Sequence, residues 1–338
     1  MKIAFFEIQN WEKNYLKKRL KGHTFEFYDK PLLLEKIKEI SGFDIVSVFI
    51  YSKIDKEIIK KFFKLKLITT RSTGFDHIDI KECEKKKIVV SSVPYYGENS
   101  VAEHTFALIL SLSRNIHKAY VRTLKQDYSI GGLKGFDLKG KTIGVIGAGH
   151  IGLHTIRAAR SFGMNVLVYD VNQNDFIKEV LDFEYVSLKE LLGKSDIITL
   201  HTPYNEFTHH LINKDTIKQI KKGAILINTS RGAVVDTEAL IEALDKKILS
   251  GAGLDVLEGE ELIKEEKQLL TDPQKAEVFG QIIKDHILLN KDNVVFTPHI
   301  AFYTQEALER ILDTTIENIN GFIAGKPQNI VKQEVVIK

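Results

Sequence analysis

The chain has 338 residues, enough for two domains of ordinary size, each with its own core. Hydrophobic residues make up 43% and charged residues 28%, the balance of a soluble globular protein rather than of a disordered one. Lys and Arg number 48 against 45 Asp and Glu, so the net charge of +3 gives no basis for expecting nucleic acid as a partner.

From the N-terminus, Met1-Lys2-Ile3-Ala4-Phe5-Phe6-Glu7 carries an apolar run too short for a signal peptide and reads as a first strand. No stretch has the length of apolar residues needed to span a bilayer, and the expected compartment is the cytoplasm. Ile3–Phe6, Ile45–Phe49, Leu67–Thr70 and Ile88–Val90 read as strands. Trp11–Leu20, Leu32–Ile40 and Lys56–Phe63 read as the helices between them. Unbroken apolar strands alternating with amphipathic helices imply parallel sheets covered on both faces. The single cysteine, Cys83, excludes an intrachain disulfide, and its acidic neighbours Glu82 and Glu84 do not favour a thiolate.

After the turn Val93-Pro94-Tyr95-Tyr96-Gly97 a long helical pattern starts near Glu98 or Asn99 and runs towards Leu124. Beyond the loop 131–140 a second set of strands follows: Thr142–Ile146, Asn165–Tyr169, Ile197–Leu200, Ala224–Ile227, Leu249–Leu254 and Val294–Phe296. The charged, partly helical segment Glu258–Asp292 is longer than an ordinary connection, and a last helix is expected over Thr304–Ile323.

The strand Thr142–Ile146 leads directly into Gly147-Ala148-Gly149-His150-Ile151-Gly152, then a helix over Leu153–Phe162, then a strand that ends at Asp170. The first glycine permits the tight turn, the second lets a pyrophosphate approach the backbone, and the third lets helix and strand pack closely. Free N–H groups at the helix start hold phosphates. A glycine pattern alone is weak, but the strand before it, the helix after it and the acid at the end of the next strand make it a dinucleotide signature. Asp170 can accept bonds from ribose hydroxyls and would repel a 2′-phosphate, so the cofactor expected is NAD rather than NADP.

Three ionisable residues lie at or beyond strand ends in the second half: Arg231, Glu260 and His299. In an open parallel sheet, ligands collect at the carboxyl ends of the strands. Reducing a carbonyl by hydride requires a proton donor at the developing alkoxide, for which histidine is suited. A carboxylate beside it favours the imidazolium, and an arginine can hold a substrate carboxylate bidentately. Each residue alone has an ordinary structural explanation; the combination with a dinucleotide loop is what raises them together.

The motifs Val101-Ala102-Glu103-His104, Asn228-Thr229-Ser230-Arg231-Gly232, the run from Gly253 to Glu260 and Pro298-His299-Ile300-Ala301-Phe302-Tyr303-Thr304, with the glycine loop, resemble those of the D-2-hydroxyacid dehydrogenases, most closely their D-lactate branch. The resemblance covers nearly the whole chain. It implies that Arg231 binds substrate, that His299 is the acid/base and that Glu260 is its partner. It also implies that Thr202, Pro203, Thr208, Thr229, Ser230, Arg231 and Asp255 serve the cofactor, beside His150 and Ile151 at the pyrophosphate. His201 reads as a strand-end residue outside the site. On the substrate side the resemblance points to backbone N–H groups near Ser72, Thr73 and Gly74, which could meet a carboxylate as an anion nest. Tyr96 matches a tyrosine typical of the lactate branch and Phe302 an aromatic packed against the small substrate side chain, which together imply a compact apolar pocket and hence pyruvate. Such pockets separate single methylenes by only about 1–3 kcal/mol, so other 2-keto acids stay open.

The expected architecture is α/β, with two doubly wound parallel-sheet domains and a cleft between them. One, over 1–99 and 302–338, would be a flavodoxin-like substrate domain; the other, over 100–301, a Rossmann domain for NAD. The leading reading is interconversion of pyruvate and D-lactate. A reductase for hydroxypyruvate, glyoxylate or a bulkier keto acid is the alternative, and an NAD-sensing binding protein is a third reading. A homodimer is implied by the resemblance, with the long helix near its interface. No metal site and no appended regulatory domain are expected.

Overall fold

The structure, a computed structural model, describes residues 1–33, 41–259 and 276–332. The chain separates into two compact units, Met1–Tyr96 with the stretch from Thr304 onward, and Gly97–Tyr303.

The first unit holds strands β1 (Lys2–Phe5), β2 (Thr24–Phe27), β3 (Ile45–Val48), β4 (Leu67–Thr70) and β5 (Val89–Ser91). They form one sheet in the order β2-β1-β3-β4-β5, with every pairing parallel. Because side chains alternate along a strand, the strands other than the edge strand β2 each feed two cores. Ile3, Phe5, Ile45 and Leu67 meet Leu16 of the helix Asn10–Arg19 and Leu20 that caps it, and Leu312, Ile316 and Ile319 of the helix Gln305–Ile323. Ala4, Phe6, Val46, Val48 and Ile68 bury against Ile58 and Ile59 of the helix Lys56–Lys61 and Cys83 of the helix Ile80–Lys85. The C-terminal helix belongs to this unit because its apolar stripe completes the first of these cores. Burial, with the nearby acids, pushes the Cys83 thiol up to about 12, so it is a core residue and not a nucleophile.

The second unit holds β6 (Thr142–Ile146), β7 (Asn165–Tyr169), β8 (Glu184–Tyr185), β9 (Ile197–Leu200), β10 (Ala224–Asn228), β11 (Leu249–Leu254) and β12 (Val294–Phe296). Its order is β12-β11-β10-β9-β6-β7-β8, again parallel throughout. The chain reverses direction across this sheet between β6 and β9, the switch point at which such sheets bind dinucleotides. In the first unit the equivalent reversal lies between β1 and β3. Both sheets are the doubly wound α/β type expected.

Gly253 shows how the long helix Glu98–Ser113 seats on β11: a Cβ there would lie 2.8 Å from Ile227 Cδ1 and 3.0 Å from Leu108 Cβ. That helix does not continue to Leu124 as its pattern suggested. It stops at Ser113, Asn115 takes a left-handed backbone (φ 52°), and a separate helix, Ile116–Leu124, follows. Asn tolerates that conformation better than most residues. The chain also returns here, with Phe136 N–H donating to the Ser113 carbonyl, 2.9 Å.

Two strands escape the sequence pattern, β2 and β8, both at sheet edges and with no buried residue. The helix after the glycine loop starts at His150, not Leu153. The helix expected over Leu32–Ile40 falls chiefly on residues outside those described. Of the segment Glu258–Asp292, the described part contains the helix Ala276–Leu289.

Candidate functional site

The glycine loop bends where β6 ends. Gly147 has φ 96°, and a Cβ on it would sit 2.6 Å from the His201 carbonyl oxygen. A Cβ on Gly152 would overlap the Gly147 carbonyl, so helix and strand meet there with no room for a side chain. Gly149 differs from both: a Cβ on it would find no heavy atom of the described residues within 4 Å. Two glycines are therefore demanded by the protein's own packing. The second is not, and it leaves open the backbone that a pyrophosphate would approach. Gly149 caps the helix His150–Ser161, whose first N–H groups include those of His150 and Ile151. His150 Nδ1 lies 3.2 Å from Glu98 Oε1.

Asp170 holds the loop from the far side. Its Oδ2 accepts from Ala148 N–H at 2.6 Å and its Oδ1 from Asn172 N–H at 2.7 Å. Beyond β9, the Thr202 hydroxyl oxygen is buried and finds no hydrogen-bond partner among the described residues. A buried polar atom left in this way calls for a ligand or a water. Pro203 and Thr208 bound the next turn: the Thr208 hydroxyl donates to the Pro203 carbonyl at 2.7 Å. The open face at Gly149, the helix N-terminus and the orphaned Thr202 hydroxyl fit a dinucleotide. Burial pushes the pKa of His201 down to about 3, and its Nε2 meets Thr199 Oγ1 at 3.0 Å. His201 therefore supplies a wall of the glycine turn through its backbone carbonyl, a role its sequence position did not reveal, while its ring stays neutral against Thr199.

Three adjacent strands, β10, β11 and β12, present the remaining loops. After β10, Asn228 Oδ1 accepts from the Ser230 N–H (3.0 Å) and hydroxyl (2.8 Å), and its Nδ2 donates to the Arg231 carbonyl at 2.9 Å. The Thr229 hydroxyl pairs with that of Thr105, 3.0 Å. Arg231 Nη1 donates to the Ser230 carbonyl, 2.8 Å. The turn that carries Arg231 is thus tied by Asn228, which sequence reasoning passed over although it opens the motif.

After β11 comes Asp255, fully buried. Its Oδ1 accepts from the Thr297 hydroxyl (2.5 Å) and from Ile300 N–H (2.9 Å), and its Oδ2 from Ala301 N–H (2.8 Å). His299 N–H donates to the Asp255 carbonyl at 2.8 Å. His299 itself has a left-handed backbone, φ 56°. Such a residue persists only where its surroundings over-determine it. Here one buried carboxylate binds the chain on both sides of it. His104, read in the sequence as part of a motif but given no role, meets Thr297 Oγ1 at 2.8 Å. The imidazole of His299 stands edge-on to Phe302, 6.4 Å between centroids. Phe302 is buried. Glu260 lies outside the described residues.

In the first unit, the loop after β4 is held by its own hydroxyls. Ser72 Oγ donates to the Gly74 carbonyl (2.6 Å) and Thr73 Oγ1 to that of Val93 (2.9 Å). Just before it, Arg71 is 2% exposed. Its Nη2 donates to the carbonyls of Phe6 (2.6 Å) and Glu7 (2.9 Å), and its Nη1 to Ser47 Oγ (3.0 Å). Burial lowers the Arg71 pKa, against the pull of Glu12 and Glu7; burial raises that of Glu12, against the pull of Arg71. The Tyr96 carbonyl accepts from Arg310 Nε at 2.8 Å. Among the described residues no group of His, Cys, Asp and Glu could hold a metal, and no helix is long and apolar enough to cross a membrane.

Residues 106–301 match the model of the D-isomer specific 2-hydroxyacid dehydrogenase, NAD binding domain. Over 331 residues the chain is 36% identical to the D-lactate dehydrogenase of Escherichia coli (strain K12), covering 96% of this chain and 98% of that one. Over 350 residues it is 35% identical to the glyoxylate reductase of Thermococcus litoralis, covering 99% and 98%. Among solved structures, the D-lactate dehydrogenase of Aquifex aeolicus complexed with NAD and lactic acid superposes with a TM-score of 0.86 at 40% identity, covering 96% of each chain.

Proposed function

The chain belongs to the D-2-hydroxyacid dehydrogenase family, and we propose that within it this protein interconverts pyruvate and D-lactate. It is an NAD-dependent 2-hydroxyacid dehydrogenase. The observation that carries the assignment of roles is the placement of Arg231, Asp255 and the His299 turn at the carboxyl ends of three neighbouring strands, with His299 clamped in a left-handed backbone. NAD, when bound, supplies the hydride for reduction and takes it up in oxidation. Gly149, His150 and Ile151 would hold its phosphates on the turn that Gly147 and Gly152 shape, Asp170 would hold its ribose, and Thr202, Pro203, Thr208, Thr229, Ser230 and Asp255 would border the remainder. Arg231 grips the substrate carboxylate and polarises the neighbouring carbonyl. His299 delivers a proton to the carbonyl oxygen in reduction and removes it from the hydroxyl in oxidation. Glu260 supports the protonated imidazole. The N–H groups around Ser72, Thr73 and Gly74 form a further candidate nest for a carboxylate.

Phe302 beside His299, and Tyr96, favour a small apolar substituent on the keto acid. The identity to the Aquifex aeolicus enzyme supports the same choice. NADH oxidation followed with pyruvate, hydroxypyruvate, glyoxylate and bulkier 2-keto acids, with chiral analysis of product, tests it. D-Lactate from pyruvate is the expected leading reaction. Preference for glyoxylate would move the protein to the chemistry named for its Thermococcus litoralis relative.

The assembly proposed is a homodimer. The helix Ile116–Leu124 contributes no buried residue, yet carries Ile116, Tyr120, Val121 and Leu124 exposed. Apolar residues spaced i, i+4, i+5 and i+8 make a stripe that a second copy would cover. Tyr120→Glu with Leu124→Glu is expected to give a monomer in light scattering.

A further inference from the structure

We propose that His210 is a positioning residue for this reaction, acting through Glu258 to lock the turn after Arg231 to the strand exit that leads into Glu260. The proposal rests on the roles given above to Arg231 and Glu260.

His210 has a left-handed backbone, φ 48°. A non-glycine residue is strained there, so something must hold it. Three contacts do. Its N–H donates to the carbonyl of Ala233 at 2.9 Å, its own carbonyl accepts from Asn213 Nδ2 at 3.0 Å, and its Nε2 reaches Glu258 Oε1 at 2.6 Å. Ala233 lies in the short turn Gly232–Val234, directly after Arg231. Glu258 lies four residues beyond the end of β11 and two before Glu260.

The two points that His210 ties are already in contact. A Cβ on Gly232 would overlap the Leu257 carbonyl group and the Glu258 nitrogen, so the turn after Arg231 presses directly on the backbone that leads to Glu260. The links therefore close a ring: His210 to Ala233, Gly232 to Leu257 and Glu258, and Glu258 back to His210. Thr237 and Gln281 brace it. The Thr237 hydroxyl donates to Glu258 Oε2 at 3.2 Å. Gln281 Nε2 donates to the Glu258 carbonyl at 3.1 Å and to Thr237 Oγ1 at 3.1 Å. His209 stacks on the His210 ring at 3.9 Å, leaving its edge aimed at Glu258.

A ring of this kind has a purpose that simple packing does not. The turn that carries Arg231 and the exit of β11 through Glu258 belong to different loops, which could each relax alone. Misplacing a reacting group by about 1 Å can cost on the order of a hundredfold in rate. Tying both loops through one carboxylate makes their spacing a single rigid quantity. His210 touches neither the substrate nor the cofactor in this scheme.

The test compares His210→Leu, His210→Gln and Glu258→Ala with the parent, measuring kcat, the KM for the 2-keto acid, the KM for NADH and the thermal midpoint. His210→Leu is expected to lower kcat by on the order of tenfold or more at 25 °C, with the KM for NADH within about twofold. His210→Gln, whose amide can still donate to Glu258, should recover most of that loss. The double variant His210→Leu with Glu258→Ala should be no slower than the worse single variant, because both remove one link. Unchanged kcat in His210→Leu, or equal losses for Leu and Gln with a midpoint falling in step, overturns the proposal. Should His210→Leu not fold, His210→Gln and Glu258→Ala carry the same decision: full activity in Glu258→Ala overturns it. Arg231→Leu is run alongside. Full activity there overturns the roles assigned to the site and this inference with them, whereas an inactive Arg231→Leu beside a normal His210→Leu overturns this inference alone.

Discussion

The two units fasten their loops with opposite charges. In the second unit the buried carboxylate of Asp255 gathers the N–H groups of Ile300 and Ala301 and the Thr297 hydroxyl around the His299 turn. In the first unit the buried guanidinium of Arg71 gathers the carbonyls of Phe6 and Glu7 beside the Ser72–Gly74 loop. Both charged groups sit at the carboxyl end of a parallel strand, and both are almost without solvent contact. The difference lies in what is left behind when each is removed. A buried N–H has one bond to make and is seldom orphaned, whereas a carbonyl with two lone pairs tolerates the loss of one partner. The carboxylate clamp should therefore be the stiffer and the less replaceable of the two.

That contrast predicts the largest effect for Asp255→Ala. Two backbone N–H groups would lose their acceptor in a dry site, at roughly 1–3 kcal/mol each. A stability loss of about 4 kcal/mol is expected in urea titrations, with activity reduced further than the folded fraction. Arg71→Met should cost less, about 2 kcal/mol, since Glu12, whose pKa burial already raises, can take up a proton when the guanidinium is gone. Its KM for the keto acid should rise on the order of tenfold as the Ser72–Gly74 loop loosens. Equal losses for the two variants would break the comparison.

Acid should also separate the units. His201 in the second unit has its pKa depressed to about 3 by burial, against an ordinary value of 6.5. Above pH 6.5 both folded and unfolded forms are neutral, and its contribution is fully present; as pH falls from there towards about 3, the unfolded state takes up the proton first and the contribution is lost. Glu12 in the first unit has the opposite sign. Its raised pKa makes its contribution complete below the ordinary carboxylate range and lost as pH rises through the folded value. Hydrogen exchange at pH 7 and pH 5 is expected to show protection falling in the second unit and holding in the first. His201→Gln should flatten the response of the second unit.

The smallest effect on stability should come from Gly149→Ala. Its Cβ meets open space, so the thermal midpoint should not move measurably, while the KM for NADH rises by about tenfold. Gly152→Ala, where a Cβ would overlap the Gly147 carbonyl, should lose stability and NAD binding together. If both glycine variants behaved alike, the division of the loop into packed and open positions would fail.

Much of this was legible in the linear chain. Strand and helix order follow from apolar periodicity, and the glycine loop with Asp170 announced a dinucleotide before any fold was known. Arg231 and His299 stood out because each follows an apolar strand. The edge strands Thr24–Phe27 and Glu184–Tyr185 were not legible, since neither holds a fully buried residue: the alternation of Phe25 and Phe27 with Thr24 and Glu26 spans only four residues, and Glu184–Tyr185 only two. The break at Asn115 was hidden for the opposite reason: the apolar pattern runs on through it, because the second helix keeps an apolar stripe that its own unit does not bury.

What the sequence by itself determined is therefore the local chemistry: which segments are strands, where the chain can bend, and which residue types are available at strand ends. Contacts across long separations in sequence were decided only by tertiary structure. Asp255 meets Ala301 because β11 and β12 are neighbours, and His210 meets Glu258 because the loops after β9 and β11 both close on the turn at Gly232. The physical reason is that a buried polar group must find a partner wherever the packed sheets place one, and no spacing along the chain encodes which residue that will be.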